Sequence, residues 1–572
     1  CSSSKTFAAW FSRLNSIGMP SSMLSAPLGC ILFVFTVCCP CSSGHVEDTP
    51  YQQPEQIHIG LGNSGDITVH WSTIQESYLR KKSGYHPGES YVVYGESATK
   101  LPRRVMGSSF LFQDFGSERR NFTMHLAVMK DLTANTKYYY MVGGNHSGWS
   151  MVMHFKSPPV SAQEVQDRLP MTYAIYGDQG DYNAQTLPSL QQAAAQGELD
   201  MVLHVGDMAY DFDSDNGRNG DAWMRDIEPL AAFVPYMVSH GNHESAQNFN
   251  HYTQRFRNMP SNSGHLSFPE FGEVPNNWWY SWNDGLVHFV AISTEVYFDY
   301  IEMVPEQHDW LAKDLAAVNR YQTPWVVVHG HRPLYCSCDE DCDNAATVNR
   351  MGFQQPDGSF KYGLEELFYK YGVDFYIAGH EHDYERMFDV APRYDAGSPW
   401  LSGVTTKSTV DPPATTYIVT GSAGNIEDHE SFSRPAPHRS AKRLNTYGWS
   451  KMTIYNASHL LWQQIQTDNG APESTWGQVM DETWIVQHHH GPFAHHPRHW
   501  ELQPRGLLGL PPVDDPMVSL DYSMIYGKKM SDMQCKHTPA GRDPECADTL
   551  LASKMFKHGR WQYTKLPSNT FV

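Results

Sequence analysis

Two histidines one residue apart, His380 and His382, close the stretch VDFYIAGHEH. Side chains on a strand alternate, so the pair would share a face and could grip a metal ion. Alone it reads equally well as a surface pair. Four further apolar runs end in the same way, with a glycine followed by a metal-capable residue. They are Gly177-Asp178, Gly206-Asp207 with Tyr210 three residues on, Gly241-Asn242-His243, and Gly330-His331. Asp178, Asp207, Tyr210, Asn242, His331, His380 and His382 make seven candidate ligands. One ion with an open position takes about three or four protein ligands, so the set suits two ions. Asp207, in the middle of the set, is the natural bridge. Carboxylate and phenolate are hard anionic donors, so Asp178, Tyr210 and a histidine suit Fe(III). Asn242 with two histidines is neutral and suits a divalent ion, Zn, Fe or Mn.

Elements able to bring these residues together follow from the pattern around them. From Met171 onward, apolar runs such as MTYAIYGD, MVLHVGD and PWVVVHGH alternate with helix-like segments, including one over Thr186–Gln196. That is an α/β region of β-α-β units, and ligands of such sheets bind at the carboxyl ends of strands. Glycine at each tip lets the backbone approach the site. Before it, EQIHIGLG, DITVHWST and ESYVVYGE alternate apolar and polar residues, as in a β-sandwich. Ser157–Pro170 reads as a linker. A second strand-rich stretch, TTYIVTGSAG to ETWIVQ, closes the catalytic region. The resulting boundaries are a leader over 1–44, a sandwich over 45–160, a catalytic region over 161–490 and a disordered tail over 491–572.

The chain has 572 residues and a net charge of −20, which argues against a nucleic-acid partner. It leaves a phosphate substrate open, because bound metal supplies local positive charge. Gly29–Cys39 has the length of a signal h-region and is too short to span a bilayer. Sequons at Asn121, Asn145 and Asn456 agree with export and glycosylation. In an exported chain the cluster CSCDEDC reads as a local disulfide before a zinc site. The HHHGPFAHH cluster reads as a biased tail segment, and NNWWYSW as hairpin core.

The motifs GDQG (177–180), GDMAY (206–210), GNHE (241–244), VHGH (328–331) and GHEH (379–382) resemble, in order and spacing, those of the purple acid phosphatases. These belong to the calcineurin-like metallophosphoesterase superfamily. The resemblance spans about Tyr51 to Phe493 and implies that the sandwich is fibronectin-III-like. It implies that Asp178, Tyr210 and His382 hold Fe(III), that Asn242, His331 and His380 hold the divalent ion, and that Asp207 bridges them. A phenolate-to-iron band from Tyr210 would colour the protein purple. A metal-bound hydroxide would attack a small phosphate monoester, and His243 would protonate the leaving group. The resemblance further implies a secreted or lysosomal enzyme and admits a homodimer. Plant members carry substrate-contacting histidines in the loop after VHGH; here that loop is RPLYCSCDEDCDN and has none, as in the large animal-type members. Two other readings stand beside this one. One is a calcineurin-like phosphodiesterase or nucleotidase with two divalent ions, from which Tyr210 distinguishes the chain. The other is a secreted, non-catalytic binding protein, which would have no reason to keep all seven donors.

Overall fold

A computed structural model describes residues 53–62, 65–74, 89–145, 148–339, 347–392, 405–467 and 476–498, with short strands at Leu520–Asp521, Phe556–Lys557 and Arg560–Trp561. The expected leader, Cys342, Cys535, Cys546 and most of the expected tail lie outside the described residues.

The alternating segments near the start form two antiparallel sheets. One orders its strands Glu55–Leu61, Ile67–Thr73, Asn121–Met129, Ser108–Gln113. The other is built on Tyr91–Gly95 and Lys137–Gly144. Their inward faces bury Ile57, Ile59, Val69, Trp71, Val92, Tyr140 and Phe155. The expected linker is more ordered than a tether. It contains helix α1 (Ala162–Arg168), started by a capping box between Ser161 and Glu164. Arg168 Nη2 pairs with Asp200 at 2.7 Å and fastens the end of that helix to the next domain.

The catalytic region begins with β1 (Met171–Tyr176), α2 (Leu187–Ala195), β2 (Met201–Val205), α3 (Ser214–Ala231), β3 (Tyr236–Ser239) and α4 (Ala246–Arg255). It continues through β4 (Tyr280–Asp284), β5 (Val287–Ala291), β6 (Trp325–His329), β7 (Phe375–Ala378), β8 (Tyr384–Val390), β9 (Thr415–Thr420) and β10 (Ser440–Leu444). It closes with β11 (Gly448–Ile454), β12 (His459–Gln466) and β13 (Val479–Val486). These strands form two sheets, ordered β3-β2-β1-β11-β12-β13 and β4-β5-β6-β7-β9-β8-β10. The chain β1-β2-β3 is parallel, and so is β5-β6-β7-β9. Their continuous Val, Ile, Phe and Tyr runs are buried along their whole length, as parallel strands covered on both faces require. The later strand-rich stretch completes both sheets: β11 pairs antiparallel with β1, and β9 lies parallel to β7. Trp278, Trp279 and Trp282 are buried at the β4-β5 hairpin, as expected of hairpin core.

One hydrophobic core runs from Ile57 and Val69 of the sandwich to Val205, Val328 and Ile377 of the catalytic sheets. Charged groups cross the same boundary. Asp221 of α3 is 1% exposed and receives Arg255 at 2.8 Å and Arg120 of the sandwich at 2.6 Å. His251 meets Asp114 at 3.1 Å beside them. Packing also passes the expected end at residue 490, because Phe493 is buried against Tyr369, Ala391 and Ala414. The histidines of that segment are individually partnered: His488 with Asp411, and His490 with the Ala457 carbonyl.

Candidate metal centre

All seven candidate ligands and His243 sit at the carboxyl ends of β1, β2, β3, β6 and β7, where the two sheets present their strand tips. Four of the seven have left-handed backbones: Asp178 (φ 62°), Asp207 (φ 49°), Tyr210 (φ 47°) and His380 (φ 71°). Such conformations are costly for non-glycine residues and gather at functional sites. Two glycines show how tightly the loops approach. A Cβ on Gly241 would strike Asp207 Oδ1 and the His331 ring. One on Gly379 would strike Asp178 Oδ2.

The donors form two adjoining groups. On one side Tyr210 Oη lies 2.8 Å from His382 Nε2 and donates to Asp178 Oδ1 at 3.2 Å. On the other, His331 Nε2 lies 3.0 Å from Asp207 Oδ2, 3.1 Å from Asn242 Oδ1 and 3.2 Å from His380 Nδ1. Among the described residues, Asp207, His331 and His380 are the Asp, Glu, His and Cys side chains whose donor atoms gather within 4.8 Å of one another.

This donor set fits a pair of cations. His331 Nδ1 faces the Val205 carbonyl at 3.0 Å, and His382 Nδ1 faces the Asp428 carbonyl at 3.1 Å. Carbonyls only accept, so both Nδ1 atoms keep their protons and both Nε2 atoms are left for the site. Burial drives the Asp178 carboxyl well above the usual range, with Asp207 adding to it. Burial works against a charge on His331, yet Asp207, Asp178 and Glu295 together push it up to about 10. A place where buried carboxylates force a proton onto an imidazole is a place that attracts positive charge.

Three neighbours carry no glycine signal of their own. Asp211 Oδ1 lies 2.6 Å from His243 Nδ1, and Glu427 Oε2 lies 3.7 Å from His243 Nε2. The His243 ring rests 4.3 Å from that of Tyr210. Burial opposes its charge, but the Asp211 hydrogen bond and the Asp207 and Asp211 charges raise it to about 9. The third is Arg332, whose Nη1 reaches His380 Nε2 at 2.8 Å. Asp211 directly follows Tyr210 and could have been found there; Glu427 arrives from the loop after β9 with no local pattern. Glu244, the last residue of GNHE, braces backbone. It is 1% exposed and accepts from the backbone N–H groups of Asp207, Met208 and Gly241 at 2.8–3.0 Å. It thereby ties two ligand-bearing loops together. His204, His329 and His240 are packing residues. His204 meets Tyr236, His329 meets Ser239, and His240 lies among Phe249, Tyr252 and Trp278. Cys336 is disulfide-bonded, whereas Cys338 is a free, buried thiol that donates to Glu381 at 2.9 Å.

The chain resembles known proteins along most of its length. Residues 171–384 match the calcineurin-like phosphoesterase family. Residues 54–157 match the purple acid phosphatase N-terminal domain, and 414–474 match the iron/zinc purple acid phosphatase-like protein C family. Acid phosphatase type 7 of Danio rerio is 36% identical over 454 residues, 77% of this chain and 93% of the relative. The Homo sapiens protein of that name is 36% identical over 80% of this chain and 95% of its own length. The Fe(3+)-Zn(2+) purple acid phosphatase 12 of Arabidopsis thaliana is 28% identical over 76% of this chain and 86% of its own. The purple acid phosphatase from yellow lupin seeds shares the fold, with a TM-score of 0.58 and 22% identity over 80% of this chain and 78% of its own. With this fold, these strand-tip donors and these relatives, the chain belongs to the purple acid phosphatases and hydrolyses phosphate monoesters at a dinuclear centre of iron and a divalent metal.

Proposed function

We propose that Asp178, Tyr210 and His382 hold Fe(III), that Asn242, His331 and His380 hold Zn, Fe or Mn as the divalent ion, and that Asp207 is shared. The observation that carries this reading is the position of the Tyr210 hydroxyl, 2.8 Å from His382 Nε2 and 3.2 Å from Asp178 Oδ1. A buried phenol between a carboxylate and an imidazole is a donor set for a hard trivalent ion. When bound, the two ions supply Lewis acidity for water attack and offset the charge that builds on the phosphoryl oxygens. The residues do the rest. His243 gives its proton to the leaving alkoxide, while Asp211 fixes its Nδ1–H and keeps the ring charged. Glu244 sets the distance between the loops of Asp207 and Asn242. The substrate is a small phosphate monoester.

The sandwich over 45–160 and the catalytic region over 161–490 act together, preceded by a leader over 1–44 and followed by a tail over 491–572. The enzyme is exported to the extracellular or lysosomal space, as monomer or homodimer. Asn145 is exposed, whereas Asn121 and Asn456 are half-buried, so Asn145 is the acceptor best placed for a glycan. Among the described residues no helix is long and apolar enough to cross a membrane.

The visible absorption spectrum of the metal-loaded protein tests the assignment. A broad charge-transfer band that vanishes in Tyr210→Phe is expected. A colourless, active enzyme would replace Fe(III) by a second divalent ion and favour the phosphodiesterase or nucleotidase reading.

A further inference from the structure

We propose that Arg332 is a substrate-binding residue, the guanidinium that takes phosphoryl oxygens from the divalent side of the centre. The inference rests on the phosphomonoesterase assignment. Carboxylates crowd this site: besides Asp178 and Asp207, the side chains of Asp211, Glu244, Glu295 and Glu427 stand within its loops. Against them Arg332 places a permanent cation in contact with a donor. Its Nε lies 3.0 Å from both oxygens of Glu295, its Nη1 lies 2.8 Å from His380 Nε2, and its Cζ stacks 4.3 Å from the Phe298 ring. Glu295 is fully buried, whereas the Arg332 side chain is 19% exposed and Phe298 is 38% exposed. The pair is therefore anchored at its inner end and open at its outer one.

Proton accounting separates this role from a purely structural ion pair. A guanidinium has donors and no acceptor. The contact with His380 therefore needs a lone pair on Nε2. His380 Nδ1, however, is the nitrogen that faces the cluster, 3.2 Å from His331 Nε2. An imidazole that gives its Nδ1 lone pair to a metal carries its proton on Nε2, where it cannot accept from arginine. The Arg332–His380 bond and a ligand role for His380 Nδ1 exclude each other. With a metal on His380 Nδ1, Nη1 would have to give up His380, while Glu295 could keep its hold on Nε. The freed fork then lies one imidazole ring from the divalent side, and its planar donors match two phosphate oxygens. Arg332 is the first residue of RPLYCSCDEDCDN, a stretch that contains no histidine.

The test compares the metal-loaded wild type with Arg332→Gln, Arg332→Lys and the double variant Glu295→Gln/Arg332→Gln, which leaves no unpaired buried carboxylate. Calorimetric titration with inorganic phosphate is the readout, beside iron and divalent-metal content and the KM for an aryl phosphate. Both glutamine variants are expected to keep both metals and to bind phosphate about tenfold or more weakly, with KM rising in step. Lysine, which keeps the charge and loses the fork, is expected to fall between. Unchanged phosphate affinity in the double variant overturns the proposal. So does a loss that only tracks lost divalent metal, which would make Arg332 a holder of His380. A fully loaded wild type that binds no phosphate would instead bring down the phosphatase assignment, and this inference with it.

Discussion

His243 stands between Asp211 at its Nδ1 and Glu427 near its Nε2, close enough to the donors to act on a bound ester without being one of them. His243→Asn is expected to lower kcat by about 10²–10⁴-fold, the usual worth of a general acid, while metal analysis shows both ions retained. Asp211 acts through it. The Asp211 contacts raise the His243 pKa, so Asp211→Asn should lower it. The acid form is then lost at lower pH, and the alkaline limb of the kcat profile should move down; an unmoved limb would remove His243 from the proton transfer. At this scale much was legible in the sequence. All the donors but Tyr210 lie within three residues after a glycine at the end of an apolar run, so type and place were both visible. Asp211 could have been found beside Tyr210, but Glu427 and Arg332 could not, because their meaning lies in a contact across the fold and not in a local pattern.

Strand tips and loops carry the next level. Asp178 Oδ2 accepts from the His380 backbone N–H at 2.9 Å, across the gap between β1 and β7. Gly379 makes that approach possible. Gly379→Ala should give a protein with unchanged far-ultraviolet circular dichroism and a loss of iron, since its Cβ would fall on Asp178 Oδ2. Glu244→Ala should be worse for the fold. It strands three buried backbone donors at about 1–3 kcal/mol each and should lower the melting temperature by several degrees. The alternation of apolar runs and helices revealed β1, α2, β2 and the parallel strands, because buried strands show as continuous Val, Ile and Tyr. It did not reveal α1, since Ser157–Pro170 is rich in proline and polar residues. Its capping box at Ser161 and Glu164 is a local signature the sequence carried, whereas its ion pair to Asp200 is one that only the folded chain brings near.

Across the whole molecule, burial holds His58, His125 and His251 down to about 4. In the unfolded chain each titrates near 6.5. Between those values the unfolded chain binds protons that the folded one refuses, so stability falls as pH drops from about 6.5 to about 4. The cost is at most about 1.4 kcal/mol per pH unit for each histidine. Thermal denaturation at pH 7 and pH 4.5 should show the difference, and His251→Asn should shrink it. Asp284 works in the opposite sense. Burial lifts it to about 7, with Asp200 adding to and Arg168 opposing the effect. Between about 3.8 and about 7 the unfolded chain releases a proton that the folded one keeps, so stability falls across that window as pH rises, and Asp284→Asn should stabilise the protein most at pH 8, less at pH 5 and little at pH 3.

The continuous core beneath the sandwich and the catalytic sheets makes the sandwich an internal buttress of the enzyme and no detachable passenger. Cutting it away would expose Asp221 and Arg255 stripped of Arg120, together with a broad apolar floor. Calorimetry of the intact protein should therefore record one endotherm where a two-module reading calls for two. Shorter versions starting near Met171 should collect in inclusion bodies.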